Sequence, residues 1–133
     1  MTILRLAAAV GISAALVGLY LGVRAFLLAR ARRQVGALPG RIPGIPGIVL
    51  FTTPQCVPCR AIQRPALEEL KRRLLDRIQI IEIDALERPD LARSWSILTV
   101  PTTFVLDAEG RPLHVNNGVA SAAKLLDQLS LAG

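Results

Sequence analysis

The chain opens on an unbroken apolar run and then changes character twice. Leu6 to Val23 reads LAAAVGISAALVGLYLGV, 18 residues without a charge, close to the ~20 helical residues that cross a bilayer core. Arg5 and Arg24 bracket the run with stems long enough to snorkel toward headgroups, and Phe26, Leu27 and Leu28 prolong its apolar face. The pattern predicts a single transmembrane helix within residues 1–29. Its rival is a cleavable leader with Met1–Arg5 as the basic end and Ala29-Arg30-Ala31 as a small-x-small exit. The length of the apolar run, and Arg30, Arg32 and Arg33 around that cut, fit cleavage poorly.

Residues 30–47 combine arginines with QVGALPGRIPGIPG, whose Pro-Gly pairs end at Gly40, Gly44 and Gly47. Proline removes a backbone donor and glycine invites turns, so this segment is predicted to be a tether. Residues 48–133 then alternate between periods. Ile48–Thr52 (IVLFT) and Ile78–Ile83 (IQIIEI) are short β-forming runs. Pro58–Leu75 places Ile62, Ala66, Leu67, Leu70 and Leu74 at helical spacing, with Glu68 and Glu69 four residues ahead of Arg72 and Arg73. A short helix over Pro89–Trp95 follows, then a strand within TTFVLD and a turn at Ala108-Glu109-Gly110. A strand over Pro112–Asn116 comes next, and last a helix capped by Ser121 that carries Leu125, Leu126 and Leu129. The order β-α-β-α-β-β-α predicts an α/β sandwich with a parallel pair joined by a helical crossover and an antiparallel hairpin at the end.

Charge refines the first part of this picture. The net charge is +6, yet Arg5, Arg24, Arg30, Arg32, Arg33 and Arg41 are the only charges in the first 41 residues, and the ten later Lys and Arg balance the ten Asp and Glu. A neutral globular part with a basic collar beside an apolar helix suits lipid headgroups rather than a nucleic-acid backbone. Positive charge is denser after the apolar run than before it, which leans the globular part toward the cytoplasmic face. Gly18 and Gly22, with Ala14, form a small-xxx-small spacing that would let two such helices approach closely as a homodimer, although small residues are also simply common in membrane anchors.

Two cysteines cannot staple a mini-fold, and without a second pair they do not close a four-ligand zinc site. A zinc site would need a partner chain, and His114, the only histidine, falls in a predicted strand. No metal or cofactor is therefore expected. Cys56-Val57-Pro58-Cys59 instead marks the junction between the first strand and the following helix. A thiol at a helix N-terminus meets unpaired N–H groups and the positive end of the helix dipole, which favour its thiolate. Cys56, at the exposed edge of the turn, is the expected nucleophile toward a substrate disulfide. Cys59, one turn on, is the expected resolving thiol. Pro58 stiffens a first turn that needs no donor there, and Arg60 adds a cation.

These features, taken in order, resemble the thioredoxin family. The C-x-P-C turn follows an apolar strand; Val100-Pro101-Thr102 matches the family's Ile/Val-Pro-Thr segment; Gly118 follows the last strand; Asp84 and Trp95-Ser96-Ile97 fit as well. The resemblance covers residues 48–133 and implies a thioredoxin-like three-layer sandwich behind the membrane helix. It implies a redox disulfide between Cys56 and Cys59, a cis peptide before Pro101, and substrate contacts from Gln55, Val100, Pro101 and Gly118. The backbone of Val100 would pair with an extended substrate segment. Protein disulfides would be the substrates, and an electron-donating thiol reductase system the other partner.

The departures are specific. Gln55 stands where the family has tryptophan, Leu50 and Ile80 where it has a buried Asp and Lys, and Pro65 falls one residue late. The family's opening β-α unit is replaced by the tether. A glutathione-binding signature of the glutaredoxin kind is not evident. The sequence thus points to a membrane-tethered disulfide reductase. Two further readings stay open: an extracytoplasmic reductase of the cytochrome-maturation type, and a non-catalytic peptide-binding module using the Pro101 edge.

Overall fold

The computed structural model describes residues 1–34 and 38–132. Helix α1 spans Thr2–Gln34, 33 residues, so it runs past the expected boundary at residue 29. Arg30 to Gln34 contain neither glycine nor proline, and nothing in that stretch opposes helix. Strands β1 (Gly47–Thr52), β2 (Gln79–Asp84), β3 (Thr102–Leu106) and β4 (Pro112–Asn117) form one sheet in the order β2-β1-β3-β4. β1 pairs parallel with β2 and antiparallel with β3, and β3 pairs antiparallel with β4. This is the thioredoxin-like topology that the element order and the resemblance imply.

β1 is buried at all six positions because it lies between two strands and is covered on both faces. Its period of two divides the core. Val49 and Phe51 join Ile81, Ile83, Leu91, Trp95, Phe104 and Leu106 on one face, while Ile48 and Leu50 join Leu67, Leu70, Val105, Leu125 and Leu129 on the other. Helices α2 (Arg64–Leu74) and α4 (Ala122–Ala132) cover the second face, and α3 (Pro89–Ser94) covers the first. Ser121 caps α4 through a 3.2 Å bond from the Lys124 N–H to its Oγ. Trp95 is 1% exposed and packs against Phe51 and Phe104, with ring centroids 5.8 and 4.8 Å away.

The later part of the expected tether does not hang free. Leu38 is buried in the first core face. The Gln79 side chain accepts from the Ile42 N–H and donates to the carbonyls of Ile42 and Ile45, all at 2.8 Å. The Gly44 N–H reaches the Ala108 carbonyl at 3.0 Å. Gly110, at φ +84°, leaves room for the Arg41 guanidinium, which a Cβ there would displace. Residues 38–46 are therefore a strap along the end of the sheet opposite Cys56. The correction has a physical reason: Pro-Gly turns exclude helix and strand, but they leave backbone groups free to bond to another element.

Pro58–Leu75, expected as one helix, is divided. A π-turn over Cys59–Gln63 precedes α2, and the Arg64 N–H bonds back to the Cys59 carbonyl. The wider turn takes up the extra residue that delays Pro65, which sits in the first turn of α2 where a missing N–H is harmless. Of the two Glu–Arg pairs expected along this helix, Glu69–Arg73 forms at 2.7 Å, while Arg64 pairs across to Glu82.

Candidate active site

β1 ends at Thr52 and delivers the chain into the turn that carries Cys56 and Cys59. The Cys56 N–H donates to the Thr53 carbonyl and the Arg60 N–H to the Cys56 carbonyl, at 3.2 and 3.4 Å. Pro58 holds helical dihedrals, φ −58° and ψ −32°, and starts the π-turn. Cys56 and Cys59 form a disulfide, with 2.06 Å between sulfurs. The Cys59 N–H points at Cys56 Sγ, 3.2 Å away, so a free backbone donor of the helix start is aimed at that sulfur. Cys59 is fully buried and Cys56 is 7% exposed, whereas Val57 is 61% exposed. Gln55 and Pro58 are exposed as well. The exposed edge expected for Cys56 is thus a narrow window, but one that Cys59 lacks.

Pro101 is brought to the same end by strand register. Phe51 pairs with Thr102, which sets Pro101 beside Thr52 and the start of the turn. The Val100–Pro101 peptide is cis, and Gly118, at φ +96°, donates its N–H to the Pro101 carbonyl at 2.8 Å. Thr53, Ile97, Leu98, Thr99 and Val100 line a recess of about 240 Å³ together with Ala85 and Ala92. A polar recess of about 330 Å³ on the other side of Thr53 is walled by Arg60, Arg64, Glu82, Asp84 and Glu87. Asp84 acts locally, accepting the N–H groups of Leu86 and Glu87 at 2.8 and 3.3 Å. Leu50 is fully buried and Ile80 packs beside it in the apolar second core face, where the family carries its ionisable pair.

Sequence reasoning passed over Gln63. It is fully buried, four residues after Cys59 on the inward face, and makes a pair of hydrogen bonds with one residue: Nε2 donates to the Ala120 carbonyl at 3.0 Å and the Ala120 N–H donates to Oε1 at 2.8 Å. This clamp joins the π-turn to the loop that carries Gly118. A signal was present, since Cys59, Gln63, Leu67, Leu70 and Leu74 share one helical stripe in which Gln63 alone carries an amide.

Comparison with known proteins agrees with this geometry. The thioredoxin family model matches residues 44–130. A thioredoxin-like protein of Synechocystis is 36% identical over 86 residues, 65% of this chain and 80% of the relative. Chloroplastic thioredoxin Y of rice, Oryza sativa subsp. japonica, is 32% identical over 87 residues, 65% of this chain and 51% of its own length. The crystal structure of chloroplastic thioredoxin z superposes with a TM-score of 0.60 at 26% identity, over 67% of this chain and 79% of that one. With a family match across most of its length and a disulfide held at a strand–helix turn, the chain belongs to the thioredoxin family and is a thiol–disulfide oxidoreductase.

Proposed function

We propose that this protein is a membrane-tethered disulfide reductase working by dithiol exchange through Cys56 and Cys59. The observation that carries the reading is the Cys59 N–H aimed at Cys56 Sγ, at the start of the helix and beneath a narrow opening to solvent. The Cys56 thiolate attacks one sulfur of a substrate disulfide, and the other leaves as a thiolate. Cys59 then attacks Cys56 Sγ, the substrate's second sulfur departs, and the Cys56–Cys59 bond forms. The Cys59 proton passes through water to a departing thiolate, because the positions of a buried acid–base pair hold Leu50 and Ile80. Two electrons and two protons from an electron-donating thiol reductase system restore the dithiol.

Gln55, Val100, Pro101 and Gly118 form the substrate edge in this reading. The half-exposed Val100 presents its backbone beside the turn, as strand addition requires. Membrane attachment is supported by Thr2–Arg30, which is apolar and long enough to cross a bilayer and whose most apolar stretch is not buried in the protein. In this reading the arginines that follow the apolar run lean the domain toward the cytoplasmic side. A Cβ at Gly18 or Gly22 would meet nothing within 4 Å, so this face of α1 is open to a second copy.

The test is trapping in membranes. A Cys59→Ser chain accumulates mixed disulfides on Cys56 that reductant releases, while Cys56→Ser accumulates none. Equal trapping by both variants, or by neither, rejects dithiol exchange in this order.

A further inference from the structure

β4 runs in the same direction as β1, since each is antiparallel to β3. The two strands therefore finish at one end of the sheet, where Asn117 leads to Gly118 and Thr52 leads to the Cys56 turn. The strap lies at the other end, at Gln79, Ala108 and Gly110. Helix α1 connects these two ends. Its residues Tyr20, Val23, Arg24 and Leu27 line a recess with Val115 and Asn117, in the last half of β4. Further along, the Arg30 guanidinium donates to the carbonyls of Ser94 and Arg93 at 3.2 and 3.3 Å. Gln34, the last residue of α1, is four Cα steps from Leu38 and so within about 15 Å of it. Leu38 in turn leads straight into the strap. The helix thus descends antiparallel to β1, with Gln34 toward the strap and Tyr20 toward the active-site end.

The direction of the remaining helix follows. Thr2 to Leu19 lie ahead of Tyr20 and are all exposed; at ~1.5 Å per residue they form a rod about 27 Å long. That rod, most of the predicted membrane span, projects past the Cys56 end of the domain rather than the strap end. Tyr20 and Arg24 sit at the crossing, and these are side chains suited to a bilayer interface. Loops at that end expose aliphatic side chains: Val57 is 61%, Leu98 91% and Val119 44% exposed.

We infer that the bilayer lies over the active-site end, so that Cys56 works at headgroup level. The partner this fits is an extended, apolar-flanked disulfide segment in a membrane-proximal loop of another integral membrane protein. A disulfide on a bulky soluble protein would have to enter between the domain and the lipid. The inference rests on the membrane-tethered reading, and the test separates the two.

The full chain with Cys59→Ser is reconstituted in phosphatidylcholine vesicles and labelled on Cys56 with a small thiol-reactive fluorophore. A second full chain, with Cys56→Ser, Cys59→Ser and Glu109→Cys, carries the same label in the β3–β4 turn at the strap end, where Glu109 is 68% exposed. Lipids with a headgroup nitroxide are expected to quench the Cys56 label several-fold more than the residue 109 label, and aqueous iodide to show the reverse order. Equal or inverted headgroup quenching, with both chains floating with the vesicles after a carbonate wash, overturns the inference and leaves the membrane reading standing. If the chains do not float and neither label is quenched, the membrane reading falls and the inference falls with it.

Discussion

Replacing Gln63 tests how the active-site turn is held to the rest of the domain. The side chain is fully buried and Ala120 is 1% exposed, so water cannot replace the two bonds between them. Gln63→Met keeps most of the volume and leaves the Ala120 N–H and carbonyl unpaired; each unpaired buried group costs about 1–3 kcal/mol, for a loss of about 2–6 kcal/mol. Against a typical total of about 5–15 kcal/mol this is a large fraction. Gln63→Ala adds a cavity and is expected to lose more. Urea unfolding of the oxidised full chain in mild detergent measures the effect. Trp95, the only tryptophan, reports it from the opposite face of the sheet. The midpoint should fall with little change in slope. A loss below about 1 kcal/mol for Gln63→Met would mean that the clamp contributes no more than one ordinary hydrogen bond, and the reasoning would be refuted.

Other expectations follow from the same structure. Gln79→Ala removes three bonds to the strap; stability should fall by about 2–3 kcal/mol and tryptic cleavage after Arg41 should accelerate, while unchanged cleavage would show that the strap holds without it. Trp95 buries an indole N–H that has no partner among the described residues, so Trp95→Phe should change stability by about 1 kcal/mol or less, against about 3–5 kcal/mol lost in Trp95→Ala. Burial pushes the Asp107 carboxyl up, but hydrogen bonds from the Arg111 N–H and guanidinium and the Arg111 charge outweigh it and hold the pKa below its ordinary 3.8. Its stabilisation is therefore present above that value and lost as pH falls through the depressed one, so unfolding of Asp107→Asn should depend less on pH in the acid range. Burial, and then the charge of Arg24, push His114 below its ordinary 6.5. The folded chain resists protonation there, and stability should decline as pH falls below that value; His114→Gln should flatten the decline between neutral pH and about pH 5.

The readable features of this chain were local ones. An apolar run between arginines specifies α1, and short β-forming runs separated by a helical period specify the crossover. The cysteine spacing at a strand–helix junction points to thiol redox chemistry, and Ser121 specifies the cap of α4. Each rests on interactions between residues a few positions apart, so the residue types alone report it. The π-turn was legible in part: the delayed Pro65 revealed an extra residue, though not that a wider turn would hold it. The contacts of residues 38–46 with the sheet were not legible, because Pro-Gly pairs show what a segment cannot form and say nothing of what it leans on.

What only the tertiary structure decided are the joins between distant segments. Gln63 meets Ala120 across 57 residues and Gln79 meets Ile42 across 37, and no local pattern encodes either pairing. The direction in which α1 leaves the domain is of the same kind. A helix specifies its own axis through bonds four residues apart, but its orientation against a sheet depends on side chains contributed by the rest of the fold.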